Sequence, residues 1–390
     1  MPSPCSSVPP WFSGGTNGMT SSGDLIRFGL GGLAYAYAGY PLLLAACARL
    51  WPLAEPRVGE GFPSVSVVVA CAGDVALVPA RVADLLAQGY PDLEVIVVLD
   101  GVAADADLRE RVGELGARVR MLALPEAGGK TVAQNFGAAE ARGEVLVFTD
   151  VGCRFAPGAI AELVAPLADP DVAASCGELA YTGTGPEGWY WRCECVLKRL
   201  ESRFSGVLGA NGPIYAVRRA DYVQLPPAAL SDLVEPMAIV FLRGGRVVYR
   251  PGARAEEPAP VARGWPVRAK RRITSRALTA LPLLMPALDV FARPRLAFAF
   301  ASHKVLRWVS WVFVLALVAG LAVWPAGQAL LGAGLVLAGV GWLVPGWRVP
   351  SLGAYAVSLV IAQVAATVDW VRGVRVARWT PTHAPASRRA

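Results

Sequence analysis

Glu144-Val-Leu-Val-Phe-Thr-Asp150 is an apolar run that ends on an acid, and the pattern recurs upstream in Leu93-Glu-Val-Ile-Val-Val-Leu-Asp100. Short β-branched runs of this kind, bounded by turn residues, read as buried strands. Working outward, Val65 to Ala70 predicts a first strand, and Ala80 to Gln88 a helix closed by Gly89 and Pro91. Leu93 to Leu99 is the second strand, Ala106 to Leu115 a second helix, and Val119 to Leu122 a short third strand. A Gly-rich turn leads to a helix at about Thr131 to Ala141, and Val145 to Thr149 is the fourth strand. Strands alternating with helices predict an α/β domain with a mostly parallel sheet. Ligands of such sheets bind outside the carboxyl ends of the strands. Asp74, Asp100 and Asp150 stand there, although each singly also reads as a turn or capping residue. Together they suit a metal ion and a ribose or base, hence a nucleoside diphosphate.

The chain as a whole is too apolar for an ordinary soluble protein. Of 390 residues 54% are hydrophobic, and mean hydropathy is +0.44. Phe28 to Ala48 carries no formal charge, nor does Trp308 to Trp347, which is interrupted by Trp324-Pro-Ala-Gly327; Val349 to Val368 is a further such run. A span needs about 20 apolar residues, so one N-terminal span, two across 308–347 and one at 349–368 are expected. Residues 1–24 lack Lys and Arg, which argues for an anchor over a cleaved signal. Their Ser, Gly and Pro content predicts a disordered leader, with Met19 as a later start. Arg49 and Arg57 follow the first span, so the positive-inside rule puts residues 52–303 in the cytoplasm, at a bacterial inner membrane. Three C-terminal spans would leave Arg372, Arg375 and Arg378 outside, against that rule. Ala277 to Leu288 is therefore a candidate for a missing crossing or an interfacial stretch.

The net charge of +7 is scattered and flanks the apolar runs, which points to anionic membrane lipids and away from nucleic acid. Seven cysteines on a mostly cytosolic chain read as reduced thiols, and Cys193-Glu-Cys195 lacks the partners of a zinc site. Gly128-Gly-Lys-Thr131 is no phosphate-binding P-loop, because Leu124 holds the place of its first glycine. It remains a turn that presents Lys130, one of four lysines in the chain, to an anion; a solvated helix start is the bland alternative. Trp189, Tyr190 and Trp191 read as interface or core packing, or as a stacking surface for a sugar. Leu197 to Phe204 reads as a charged helix face.

From about Pro63 to Trp308 the sequence resembles the membrane-bound family 2 glycosyltransferases of GT-A fold, related to the cellulose and hyaluronan synthases. Pro63-Ser-Val-Ser-Val-Val-Val resembles the family's first strand, and Val95-Ile-Val-Val-Leu-Asp-Gly the strand whose last acid, here Asp100, contacts the base. Gly128-Gly-Lys-Thr-Val-Ala-Gln-Asn and Val145-Leu-Val-Phe-Thr-Asp are similar to the segments that bring a lysine, here Lys130, and a metal- and diphosphate-binding acid, here Asp150. Gly209-Ala-Asn-Gly-Pro resembles the loop at the reacting centre, which implicates Asn211 and Gly212, with Trp191 as a further acceptor contact. Asp232, in Ser231-Asp-Leu, takes the place of the catalytic base, and Arg272 falls where Q-x-x-R-W is found. The resemblance implies inverting transfer of a sugar from a nucleotide-sugar donor, UDP-linked, to a lipid-linked or polysaccharide acceptor, with Mg²⁺ or Mn²⁺ on Asp150. Growing charge on the departing diphosphate would fall to the metal, Lys130 and Arg272, and the acceptor proton to Asp232.

The sequence departs from that pattern at Gly152, where a second metal-binding acid is usual, at Ser231, at Ala269 and at Ile273. A nucleotide-sugar-binding scaffold subunit without turnover is the competing expectation. The expected division is a leader at 1–24, a transmembrane helix at 25–51, a GT-A domain at 62–260, interfacial helices at 261–303, about three spans at 304–370 and a basic tail at 371–390.

Overall fold

The computed structural model describes residues 22–59, 61–182, 186–258, 265–343 and 348–374. Most of the expected leader and of the basic tail lies outside these residues. The expected elements form where the apolar periodicity places them: β1 (Val65–Cys71), β2 (Leu93–Asp100), β3 (Val119–Leu124) and β4 (Val145–Asp150), with helices Val78–Leu86, Ala106–Gly113 and Lys130–Glu140 between them. Four further strands complete the sheet: β5 (Arg154–Phe155), β6 (Val172–Thr182), β7 (Tyr215–Arg218) and β8 (Arg246–Pro258).

The strand order is β3-β2-β1-β4-β7-β6-β8-β5. The β3-β2-β1-β4 block is parallel, as is β6 with β8, whereas β7 runs antiparallel to both of its neighbours. Alternate residues of each strand face opposite layers. Val68, Ile96, Val98, Leu146 and Phe148 meet Lys130–Glu140 and Ser231–Arg243 on one face. Val67, Val69, Val95, Val97 and Val147 meet Val78–Leu86 and Ala159–Val164 on the other. Order reverses at β1, with β2 on one side and β4 on the other, so a crevice opens at the carboxyl ends of β1 and β4, where Asp150 stands.

Close approaches fix this core. A Cβ on Gly143 would lie 2.5 Å from the Ser66 nitrogen and 2.7 Å from the Val65 carbonyl carbon, backbone atoms that cannot move without shifting β1. Gly143→Ala is therefore expected to cost about 1–3 kcal/mol, read as a lowered thermal midpoint of the purified protein.

Around the domain lie the apolar helices. Ser22–Leu50 and Gly353–Val371 are long and apolar enough to cross a membrane. Pro294–Trp308 and Ser310–Val323 pass that test together, bent by 54°, and Pro325–Val340 is a shorter apolar helix. The chain breaks at Trp324, as its Pro-Ala-Gly sequence suggests, and Pro325 starts the next helix. Ala277 to Leu288 does not form a crossing. It divides into the end of helix Trp265–Thr279 and two short turns, and Ala277, Ala280, Leu284 and Ala287 are buried in the core of the sheet domain. Arg271 donates twice to Asp369, at 2.7 and 2.8 Å, tying Trp265–Thr279 to the last helix.

Leu197 to Phe204 corrects a second expectation. It belongs to helix Pro186–Phe204, but Lys198 and Glu201 are buried rather than solvated. Glu201 accepts from the Tyr40 hydroxyl (3.0 Å) and meets His303 Nδ1 (2.5 Å). Glu194, two turns earlier on the same face, meets His303 Nε2 at 3.2 Å and pairs with Arg307. The partners lie about a hundred residues away in sequence, so helical periodicity could not reveal them. Buried carboxylates persist only when paired in this way. The described cysteines are free thiols.

Candidate active site

Gly128 and Gly129 form the turn that opens helix Lys130–Glu140. Gly129 adopts φ +90, which a side chain would oppose. Both carboxylate oxygens of buried Asp100 hold this turn, accepting from the Gly128 N–H (2.7 Å) and the Gly129 N–H (2.9 Å). Asp100 thus acts at the second shoulder of the crevice, fixing the turn from which Lys130 projects. The Lys130 ammonium lies 2.6 Å from Asp150 Oδ1. Burial works against its charge, but Asp150 and then Asp232 outweigh burial and hold its pKa above the usual lysine range. Asp74, by contrast, ends at the start of a short 3₁₀ turn after β1 and is not among the cleft-lining residues.

The opposite wall is the loop before helix Ser231–Arg243. Ala210 N–H donates to the Asp232 carbonyl at 2.6 Å, and Gly209, at φ +103, lets the loop lie against Leu233. Asn211 is 2% exposed; its Nδ2 donates to the Gly177 carbonyl (2.6 Å) and its N–H to Cys176 Sγ (3.2 Å). It therefore shapes the loop from behind. Gly212 borders the cleft, and a Cβ there would sit 2.9 Å from Lys130 Nζ and 3.0 Å from Asp232 Oδ2. Cation and carboxylate thus approach one point from two sides.

The resulting cleft gathers Lys130, Asp150, Trp191, Gly212, Asp232 and Arg272. Asn211 and Asp100 support it without lining it. Trp191 packs edge-on against Tyr181, with ring centroids 5.8 Å apart, while Trp189 is 54% exposed. Burial draws the Arg272 guanidinium below its usual pKa, against the attraction of Asp150 and Asp232.

Two cleft residues carry no clear sequence signal. Arg276 stands one helical turn beyond Arg272 and donates to Thr131 Oγ1 at 2.7 Å. Glu257 comes from β8: Arg154 pairs with Glu256 and Tyr181 with Glu257, which carries the strand past the Asp150-Val-Gly152 turn. Burial pushes the Glu257 carboxyl up to about 7, the Asp150 charge adds to this, and Lys130 offsets part of it.

Glu235 lies on the buried face of helix Ser231–Arg243, 1% exposed, where the Tyr215 hydroxyl donates to Oε2 at 2.8 Å. Burial raises its carboxyl to about 8 despite that bond. The folded chain keeps a proton that an unfolded carboxylate releases near about 4.3. Stability is therefore expected to fall between about pH 4.3 and about pH 8 and to level off above. Glu235→Gln should flatten that slope in thermal-unfolding scans across the window.

A mostly parallel sheet with an acid at its switch point, a lysine on a glycine turn and a carboxylate facing both across a cleft defines the GT-A class of glycosyltransferase folds. Residues 66–237 match the model of glycosyl transferase family 2. N-acetylglucosaminyltransferases of Mesorhizobium japonicum and Rhizobium meliloti are each 28% identical to it. The first alignment runs over 244 residues, 56% of this chain and 57% of that protein; the second over 203 residues, 49% and 46%. The chain thus spans about half the length of the curated relatives it matches. Among solved structures, the mannosyltransferase PcManGT from Pyrobaculum calidifontis, in complex with GDP-Man and Mn²⁺, shares the fold. Its TM-score is 0.64 at 22% identity, covering 89% of this chain and 99% of that one.

Proposed function

We propose that the chain transfers a sugar, with inversion at the anomeric carbon, from a nucleoside diphosphate donor to a lipid-linked or polysaccharide acceptor at a membrane. The observation that carries this reading is the convergence of Lys130, Asp150, Asp232 and Arg272 on one cleft beside Gly212. In the transfer, the acceptor hydroxyl oxygen bonds to the anomeric carbon as the bond from that carbon to the diphosphate oxygen breaks. The bonding pair leaves with the nucleoside diphosphate, and the hydroxyl proton passes to the Asp232 carboxylate. Lys130, Arg272 and Arg276 meet the charge that grows on the diphosphate, in a cleft where partial burial strengthens each contact. Attack from the side of Asp232, opposite the leaving group, inverts the centre, as in single-displacement glycosidases.

Among the described residues no three His, Cys, Asp or Glu side chains form a metal cluster. Asp150 and Glu257 nevertheless line one cleft, and their mutual repulsion is what a cation would relieve. Two carboxylates plus substrate phosphates form an ordinary Mg²⁺ donor set, so the residues fit Mg²⁺ or Mn²⁺, with Glu257 in place of the acid absent at Gly152. Such an ion would add charge neutralisation at the diphosphate.

The names of the relatives make UDP-N-acetylglucosamine the first donor to test. Helices Ser22–Leu50 and Gly353–Val371 support anchoring in a bacterial inner membrane, and Arg49 and Arg57 support a cytoplasmic domain. The test is nucleoside diphosphate release by detergent-purified protein from a panel of nucleotide sugars, with and without Mg²⁺ or Mn²⁺. Metal-dependent release from one donor is expected. Donor binding without release, even with membrane extract as acceptor source, would leave the binding-only scaffold.

A further inference from the structure

The catalytic cleft adjoins a second cavity of about 240 Å³, with Trp191, Asp232, Lys270 and Ile273 in the shared wall. Its far walls come from the apolar helices: Tyr37 from Ser22–Leu50, Trp308 from Pro294–Trp308, and Leu359 and Gln363 from the last helix. It therefore lies between the reacting centre and the segments long and apolar enough to meet lipid.

The charge of this cavity is unusual for the chain. Lysine occurs four times in 390 residues, at 130, 198, 270 and 304, against a large excess of arginine spread along the sequence. All four lysines line the two cavities. An ammonium is a compact point charge with rotatable donors, which binds a phosphate without the fixed planar geometry that an arginine fork requires. Lys198 is buried and donates to the Ala210 carbonyl at 3.3 Å, leaving further donor capacity. Lys304 makes no hydrogen bond, and no ion pair within 4 Å, among the described residues. It sits on the π-helical turn Phe300–Val305, a distortion often found at functional sites. The neighbouring carboxylates do not serve either lysine directly: Glu194 is held by His303 and Arg307, and Glu201 by His303 and Tyr40. Glu194 and Glu201 attract Lys304 without contacting it, and a neutral glycan would bring no countercharge to buried Lys198 or half-buried Lys304. An anion would satisfy them.

We propose that the second cavity seats the phosphate of a lipid-carried acceptor on Lys198 and Lys304, with the acceptor's sugar hydroxyl directed to Asp232 across the shared wall. This assignment rests on the transfer reading above and names its acceptor class as a phosphate-bearing lipid rather than a free glycan.

The test uses the full chain in detergent and follows quenching of tryptophan fluorescence, since Trp191 and Trp308 line the cavity. Farnesyl phosphate, farnesol and inorganic phosphate are the probes, and nucleoside diphosphate binding is measured separately. Farnesyl phosphate is expected to bind at least about tenfold tighter than farnesol or inorganic phosphate. Lys304→Gln and Lys198→Gln should abolish that preference, Lys304→Arg should restore part of it, and none should alter nucleoside diphosphate binding. Equal binding of farnesyl phosphate and farnesol, or a preference that survives both glutamine variants, would overturn the proposal. Inorganic phosphate binding as tightly as farnesyl phosphate would overturn its lipid part. Loss of nucleotide binding in the wild type, with the farnesyl phosphate preference intact, would instead count against the transferase reading and leave the anion site standing.

Discussion

Asp232→Asn is expected to lower the rate of transfer by about 10²–10⁴-fold, the range for a positioned general base, while nucleoside diphosphate binding stays intact. The asparagine keeps the shape beside Gly212, where Asp232 Oδ2 lies 3.0 Å from the position of a Cβ, but it cannot accept the acceptor proton. The backbone role of the residue also survives, because the Ala210 N–H bonds to its carbonyl and not to its side chain. Steady-state kinetics with the identified donor check the effect: kcat should fall with little change in donor KM. A parallel loss of nucleotide affinity would move Asp232 from the acceptor to the donor side.

Lys130→Met is expected to lower kcat by about 10²–10³-fold, comparable to the loss of a single donor at an oxyanion site, and to weaken nucleoside diphosphate binding as well. Here the ground state also suffers. Lys130 is the cation 2.6 Å from Asp150, and both Asp150 and Asp232 stabilise its charge. Its removal leaves two carboxylates facing each other in a partly buried cleft, so added Mg²⁺ or Mn²⁺ should recover more binding in the variant than in the wild type. Lys130→Arg should recover little. The forked head must fit where a single Cβ on Gly212 would already lie 2.9 Å from the ammonium.

The first half of the domain was legible because β1, β2 and β4 are buried on both faces. Val65–Cys71 and Val145–Asp150 carry almost no polar residue until their carboxyl ends, so the acid that ends a run also marks the crevice. The same reasoning fails for β8. Arg246–Pro258 contains Arg250, Pro251, Gly252, Arg254, Glu256 and Glu257, and shifts register against β6 between Gly177 and Glu178. A strand so interrupted has no period to read, and Glu257, the third carboxylate of the cleft, was lost with it. Helix Pro186–Phe204 misled for another reason. Lys198 and Glu201 have the spacing of a solvated face, but Tyr40, His303 and Arg307 bring their own polar groups to it. Only the tertiary structure joins those segments. Asp100 and Asn211 stand out in the sequence through their motifs, yet their hydrogen bonds to the Gly128-Gly129 turn and to Gly177 depend on loops whose conformation spacing alone does not fix.

Cleft and second cavity together describe a path. In the proposed transfer the donor diphosphate is held by Lys130, Arg272 and Arg276, which line the cleft, and the acceptor comes from the second cavity past Trp191 to Asp232. The proposed transfer admits one stereochemical outcome, since it sets acceptor and leaving group on opposite sides of the sugar. The most direct measurement is the anomeric configuration of the first product formed from an α-linked nucleotide sugar, read by nuclear magnetic resonance before any rearrangement. A β-linked product is expected; an α-linked product would contradict in-line attack assisted by Asp232 and require a different use of the cleft.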